Sequence, residues 1–154
     1  MTSLEIRKIL VPTDFSRTAE VAIGYADVLS RALDAQLYLL HVVEMTDETF
    51  ATVPREILLT GSGERIRAYL LEQAQARLER LRSRLGHGET VLRMGVPREA
   101  ILNVARELQA DLIVVGLRGR TGIARILVGS VADHIIQHSP VPVLSVRGEA
   151  PGTG

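Results

Sequence analysis

Apolar positions along this chain fall into two alternating kinds of segment. Short, nearly continuous runs at Ile6–Pro12, Gln36–Val43, Asp111–Gly116 and Val141–Arg147 read as strands, and the more alternating Glu89–Met94 reads as another. Between them lie longer stretches with apolar residues at helical spacing. The first holds Ala19, Ala22, Ile23, Ala26, Leu29 and Leu33 behind a candidate N-cap at Ser16. The clearest is Glu64–Leu85, where Ile66, Leu70, Leu71, Ala74, Leu78, Leu81 and Leu85 form one stripe and Gly86-His87-Gly88 ends the pattern. Two more helices are predicted, from Arg98 to about Gln109 and from about Ser130 to His138. Residues 44–63 mix acids, threonines, Pro54 and Gly61, and read as a long connection with room for one helical turn. A connection of about 20 residues in a compact domain is usually a functional or a mobile loop.

The order β-α-β-(loop)-α-β-α-β-α-β predicts one open, doubly wound, five-stranded parallel sheet. Helices cover both faces through right-handed crossovers, the Rossmann-like arrangement of an α/β domain. Residues 1–147 make up the domain, and the Gly-rich end 148–154 reads as a disordered tail. In such sheets ligands bind at the carboxyl ends of the strands, where strand order reverses.

Composition narrows the class of function. At 154 residues, 46% hydrophobic and 23% charged, the chain is neither disordered nor collagen-like. It has no cysteine, which excludes disulfides, thiolate metal sites and Cys nucleophiles. Its apolar runs fall far short of the roughly 20 residues of a membrane span. Met1–Lys8 carries no apolar signal core, so a cytoplasmic domain is expected. Basic and acidic residues balance at 18 each, which gives no reason to expect a nucleic-acid or membrane partner. Residues 1–63 hold 5 basic and 9 acidic side chains, and residues 64–154 hold 13 and 9. Lys8 is the sole lysine, so no Gly-rich segment here can be a P-loop, whose lysine must follow the loop directly. The aromatics Phe15, Tyr25, Tyr38, Phe50 and Tyr69 are too scattered to form a base-stacking platform.

The densest candidate chemistry is Gly116-Leu-Arg-Gly119-Arg-Thr-Gly-Ile-Ala-Arg-Ile-Leu-Val-Gly129-Ser130, between the fourth strand and the last helix. Gly116 is expected to let the backbone leave the strand in a conformation closed to other residues. Gly119 and Gly129 allow a ligand close approach. Ser130 offers a hydroxyl and an N–H at the positive end of a helix, where anions bind. Arg118, Arg120 and Arg125 stand in this segment without an acid. Together these point to phosphate binding, although an ordinary βα loop with a glycine and a serine cap would use the same residues. Pro12-Thr13-Asp14 ends the first strand, and a carboxylate there can hold a ribose hydroxyl or a divalent ion bridging phosphates. The alternative is that Asp14 only starts the following helix. Val42, at the end of the second strand, has backbone groups that could meet an adenine edge.

Gly116-x2-Gly119-x9-Gly129-Ser130, with Ile9-Leu-Val-Pro-Thr-Asp14, Leu39-Leu-His-Val42 and the closing Ser139-Pro-Val-Pro-Val-Leu-Ser-Val146, resembles the universal stress protein family from Ile6 to Arg147. The resemblance implies the adenine nucleotide alpha hydrolase-like form of the Rossmann-like fold. The glycine pattern resembles the ATP-binding branch of that family. It implies that Pro12, Thr13, Asp14 and Val42 surround the base and ribose, and that Gly116, Leu117, Arg118, Gly119, Gly129, Ser130 and Val131, beside Arg120, surround the phosphates. Mg2+ or Mn2+ would accompany the ATP, with Asp14 as its candidate ligand. Ala132 stands where some members carry a hydroxyl, which removes one phosphate contact. The resemblance also implies a homodimer through the last strand, by Val141, Val143, Leu144, Ser145 and Val146. Pro142 suits an edge strand, and only Arg147 supplies charge that would deter pairing there.

Other constellations are weaker. His134 and His138 are four apart on a helix but lack a third ligand, and read as surface histidines beside Asp133. His41, in an apolar strand, reads as a satisfied core histidine. No Gly-x-Ser-x-Gly elbow is present. Three functions compete: a nucleotide-binding regulatory module, an ATP hydrolase or nucleotidyl transferase, and a dimerisation module with an empty pocket. Phosphoryl transfer needs positioned cations and a group that orients the nucleophile. The sequence shows no convincing base, which is compatible with slow hydrolysis but not with fast turnover.

Overall fold

The computed structural model describes residues 3–117 and 130–147. Five strands form one parallel sheet: β1 (Lys8–Pro12), β2 (Gln36–Val43), β3 (Glu89–Met94), β4 (Leu112–Leu117) and β5 (Val143–Arg147). Their spatial order is β3-β2-β1-β4-β5. The helices are α1 (Arg17–Leu33), α2 (Asp47–Phe50), α3 (Arg55–Thr60), α4 (Gly63–Leu85), α5 (Pro97–Leu108) and α6 (Ser130–His138). This is the α/β architecture that the alternation of segments predicts. The chain builds outward from β1 to β3, then crosses back to lay β4 against the other side of β1, so the order reverses between β1 and β4.

The continuous apolar runs follow from burial on both faces of the sheet. Along β1, Ile9 and Val11 join Leu37, Leu39 and Val114 beneath α1 and α4, whose contributions include Ala22, Ile23, Leu78 and Leu81. Leu10, between them in sequence, points the other way and joins Ile113, Val115, Ile101, Leu102 and Ile135 beneath α5 and α6. Caps fix where the helices begin and end. Ser16 Oγ accepts the Ala19 N–H at 3.2 Å, and Gly86 closes α4 at φ +80° in the left-handed region.

Several boundaries differ from the expectation; β4 runs Leu112–Leu117, one residue later than read, and α5 runs Pro97–Leu108. β1 begins at Lys8, not Ile6, because Asp111 Oδ2 accepts the N–H groups of both Arg7 and Lys8 at 2.9 Å. That side chain removes the two donors from the ladder and ties the entrances of β1 and β4 together. β5 begins at Val143, not Val141, because Ser139 Oγ accepts the Val141 N–H at 3.1 Å and donates to the Val141 carbonyl at 2.6 Å. The connection 44–63 holds two short helices where one turn was expected. Thr46 caps α2 by accepting the Thr49 N–H at 3.1 Å, and buried Val53 packs with Val43, Leu70 and Ala74 in a small core of its own. The proposed tail 148–154 lies outside the described residues. Among the described residues, no helix is long and apolar enough to cross a membrane.

Candidate functional site

The carboxyl ends of β1, β2 and β4 open into a cleft of about 720 Å³, of the size small-molecule sites have. Its walls include Pro12, Thr13, Asp14, Val42, Gly116, Ser130 and Val131, seven of the residues singled out in the sequence. The parallel sheet gathers them, since residues scattered from 12 to 131 all stand at the carboxyl ends of strands or the amino end of α6. Leu117 does not line this cleft; as the last residue of β4 it packs against the core under α5 and α6. Arg118, Gly119, Arg120 and Gly129 lie outside the described residues.

The turn after β1 is tightly bonded. Its ladder ends where the Thr13 N–H donates to the Leu40 carbonyl at 2.7 Å. Thr13 Oγ1 then accepts the Phe15 N–H at 3.0 Å, and Asp14 Oδ1 accepts the Ser16 N–H at 2.9 Å. Asp14 therefore helps start α1 while its carboxylate also stands in the cleft wall. Phe15 sits at φ +64°, unusual for a bulky side chain.

Val42 is placed by strand alternation. Leu40 directs its carbonyl to β1, whereas Val43 directs its own to the Gly95 N–H at 3.0 Å on the β3 side. Backbone groups two residues apart share a side of a strand, so those of Val42 face the β1 side. There β1 has already turned away, and the groups face the gap. The apolar part of the wall includes Val42, Val131, Pro97 and Ile101.

Gly116 serves a different purpose from the one its position suggests. Its φ is not positive, and a Cβ there would meet the first turn of α1 at Thr18 within 2.8 Å. The glycine lets β4 and α1 close up at the floor of the cleft. Ser130 is the first described residue of α6, and its N–H and that of Val131 stand at the amino end of that helix, which carries positive charge. Both residues are exposed, while Ala132 behind them is buried and also faces the cleft.

Several wall residues gave no clear signal in the sequence. His41 is half-buried in the wall, with its Nδ1–H donating to the Thr13 carbonyl at 2.7 Å, so it is satisfied but not enclosed in the core. Burial holds its pKa below the ordinary value; the nearby Arg77 charge adds to this, while the Thr13 bond and Asp14 oppose it. Arg77, one turn beyond buried Ala74 on α4, and the hydroxyls of Thr46, Thr49 and Thr52 around α2 complete that side. Strand parity could have flagged His41, and Arg77 borders the apolar stripe. The placement of α2 needed the whole fold. Further along α6, His134 and His138 stack with ring centroids 4.3 Å apart. Among the described residues, no group of three or more His, Asp or Glu side chains converges as a metal site would require.

Comparison with known proteins agrees with the geometry. The profile of the universal stress protein family matches residues 5–147. Universal stress protein MJ0531 of Methanocaldococcus jannaschii is 35% identical over 145 residues, covering 92% of this chain and 82% of that protein. MJ0577 of the same organism is 30% identical over 157 residues, covering 94% and 97%. Its solved structure superposes with a TM-score of 0.75, covering 94% of this chain and 98% of that one. A universal stress protein solved in complex with cAMP superposes with a TM-score of 0.62 at 25% identity, covering 94% and 99%. A match over almost the entire domain, on a sheet of this strand order, makes the chain a member of the universal stress protein family.

Proposed function

We propose that this chain binds ATP together with Mg2+ or Mn2+ in the cleft, and acts as a cytoplasmic nucleotide-dependent regulatory module with at most slow hydrolysis. The observation that carries this reading is the meeting of Thr13, Asp14, Val42, Gly116, Ser130 and Val131 around one cavity at the reversal of strand order. The fit is chemical as well as spatial. Val42 turns backbone groups toward the gap, where a base edge would find them. The carboxylate of Asp14 suits a ribose hydroxyl or the divalent ion. The N–H groups at the amino end of α6 suit phosphate oxygens, since the helix dipole favours anions there. In the sequence, Arg118, Gly119, Arg120 and Gly129 stand between Gly116 and Ser130 and would complete the phosphate side. The cAMP complex of a relative supports an adenine nucleotide as the ligand class. ATP would provide occupancy as the signal. ATP is preferred to GTP because the base edge would be held by backbone groups at Val42 rather than by a guanine-reading carboxylate.

The same reading includes a homodimer through β5 and the residues just before it, by Val141, Val143, Leu144, Ser145 and Val146. β5 is an outer strand of the sheet, and Val143 and Leu144 are only partly covered within one copy. Denaturing the purified protein and identifying any released nucleotide by chromatography tests the ligand, backed by calorimetry with ATP and magnesium. No bound nucleotide, and no heat at millimolar ATP, would overturn the reading.

A further inference from the structure

The ring of Phe15 is held between two cleft residues from separate elements. The Arg77 guanidinium of α4 lies 4.1 Å from the ring centroid, and the His41 ring of β2 lies 4.5 Å away at a tilt of 41°. We propose that Arg77 and His41, acting through Phe15, are positioning residues that hold the Thr13-Asp14 turn in its ligand-ready shape. This inference rests on the nucleotide reading above, and it assigns a role to residues that need not touch the nucleotide.

Four observations support it. Phe15 sits at φ +64°, a conformation that a bulky residue leaves unless its surroundings hold it. Thr13, Phe15 and Arg77 also wall a second hollow of about 610 Å³ between α1 and α4, so the stack is a partition with open space on either side. The ring is only partly buried against the core beneath α1 and α4, and the two stacking partners add the hold that this partial packing lacks. The cation–π contact and the tilted aromatic pair are suited to that task. Finally, both flanks of Phe15 are bonded to the residues it would position. Its N–H donates to Thr13 Oγ1, the next N–H donates to Asp14 Oδ1, and His41 Nδ1–H donates to the Thr13 carbonyl. If the ring swings away, the backbone can relax to negative φ, and the Thr13 and Asp14 side chains turn with it.

The test uses the full chain and two independent readouts. The first is amide hydrogen exchange without nucleotide in wild type, Arg77→Met, Arg77→Lys and Phe15→Leu. Arg77→Met and Phe15→Leu should speed exchange of the residue-15 and Ser16 N–H groups about tenfold or more, with the Ile113 and Val114 amides unchanged. Arg77→Lys, which keeps a cation over the ring, should stay near wild type. Unchanged exchange at 15 and 16 in Arg77→Met would overturn the proposal whatever the protein binds.

The second readout is calorimetric affinity for ATP, AMP and adenosine. A positioning role predicts a similar loss, about five- to twentyfold, for all three in Arg77→Met. A loss that grows with the number of phosphates would mean direct contact and overturn positioning. Equal affinities in folded Arg77→Met and wild type would overturn it too. If wild type binds none of the three, the nucleotide reading fails, and the exchange experiment alone decides whether the stack holds the turn.

Discussion

A Cβ added to Gly116 would stand 2.8 Å from the Thr18 carbonyl oxygen and 2.8 Å from its methyl carbon. The end of β4 and the first turn of α1 thus meet backbone to backbone, and the floor of the cleft depends on that closeness. Gly116→Ala should separate the two elements and destabilise the fold by about 1–3 kcal/mol, as overpacking does. Denaturant unfolding checks this, and an unchanged midpoint would show that the turn of α1 yields freely.

The buried sheet face under α4 predicts a larger effect. Leu78 is fully buried between α4 and the strands, so Leu78→Ala should cost about 2–5 kcal/mol. Leu59 is 72% exposed, and Leu59→Ser should stay within about 0.5 kcal/mol of wild type. Parallel urea titrations of the two variants measure the contrast.

Much of this was legible in the sequence, and the reasons are physical. Runs such as Leu112–Val115 can only be buried strands in a chain that alternates them with amphipathic helices, so sheet and helix order followed. Gly116 and Ser130 marked the region of the cleft. What the sequence hid were contacts made by residues far apart. Asp111 trims β1 from across the sheet, and Arg77 reaches Phe15 from α4. Gly116 carried a visible signal with two physical explanations, left-handed backbone or lack of space. Only the neighbour at Thr18 distinguishes them.

His41 makes stability depend on pH in a defined direction. The folded state holds its imidazole below the ordinary value of 6.5, chiefly by burial, so the unfolded chain binds the proton more readily. Its contribution is therefore fully present above about pH 6.5 and is lost as pH falls below that toward the depressed folded value. Thermal melts between pH 7.5 and 5 should show a fall in midpoint that is smaller in His41→Gln. Asp27 acts in a separate, more acidic window. Partial burial tends to raise its pKa, but bonds from His87 and Arg31 outweigh this and hold it below the ordinary 3.8. Its contribution is lost as pH falls through that depressed value.

Ser130 is expected to matter for ligand affinity and little for folding. Ser130→Ala should weaken ATP binding by about 0.5–1.5 kcal/mol, the loss of one neutral hydrogen bond. Calorimetry beside a thermal melt separates the two effects, and equal affinity would remove Ser130 from the site. Gly129→Val should abolish binding while the protein stays folded, since a β-branched residue fills the space a phosphate would need.

The partly covered β5 edge leads to a prediction about assembly. Light scattering of the wild type at micromolar concentration should give twice the 16.8 kDa chain mass, and Val143→Lys should shift the protein toward the single-chain value. A wild type of single-chain mass would refute the dimer.

The central place of β1 also dictates an order of events during synthesis. β1 emerges before the other four strands, yet one of its two edges is completed only by β4, and the Asp111 carboxylate that binds the Arg7 N–H is 104 residues downstream. Until then β1 can pair with β2, which in turn takes up β3, but its other edge, at Ile9 and Leu10, stays open and apolar. Closing so long a loop is slow, and an open apolar edge invites pairing with other chains. Nascent chains stalled before residue 112 should therefore need chaperone protection, and that need should end once β4 has emerged.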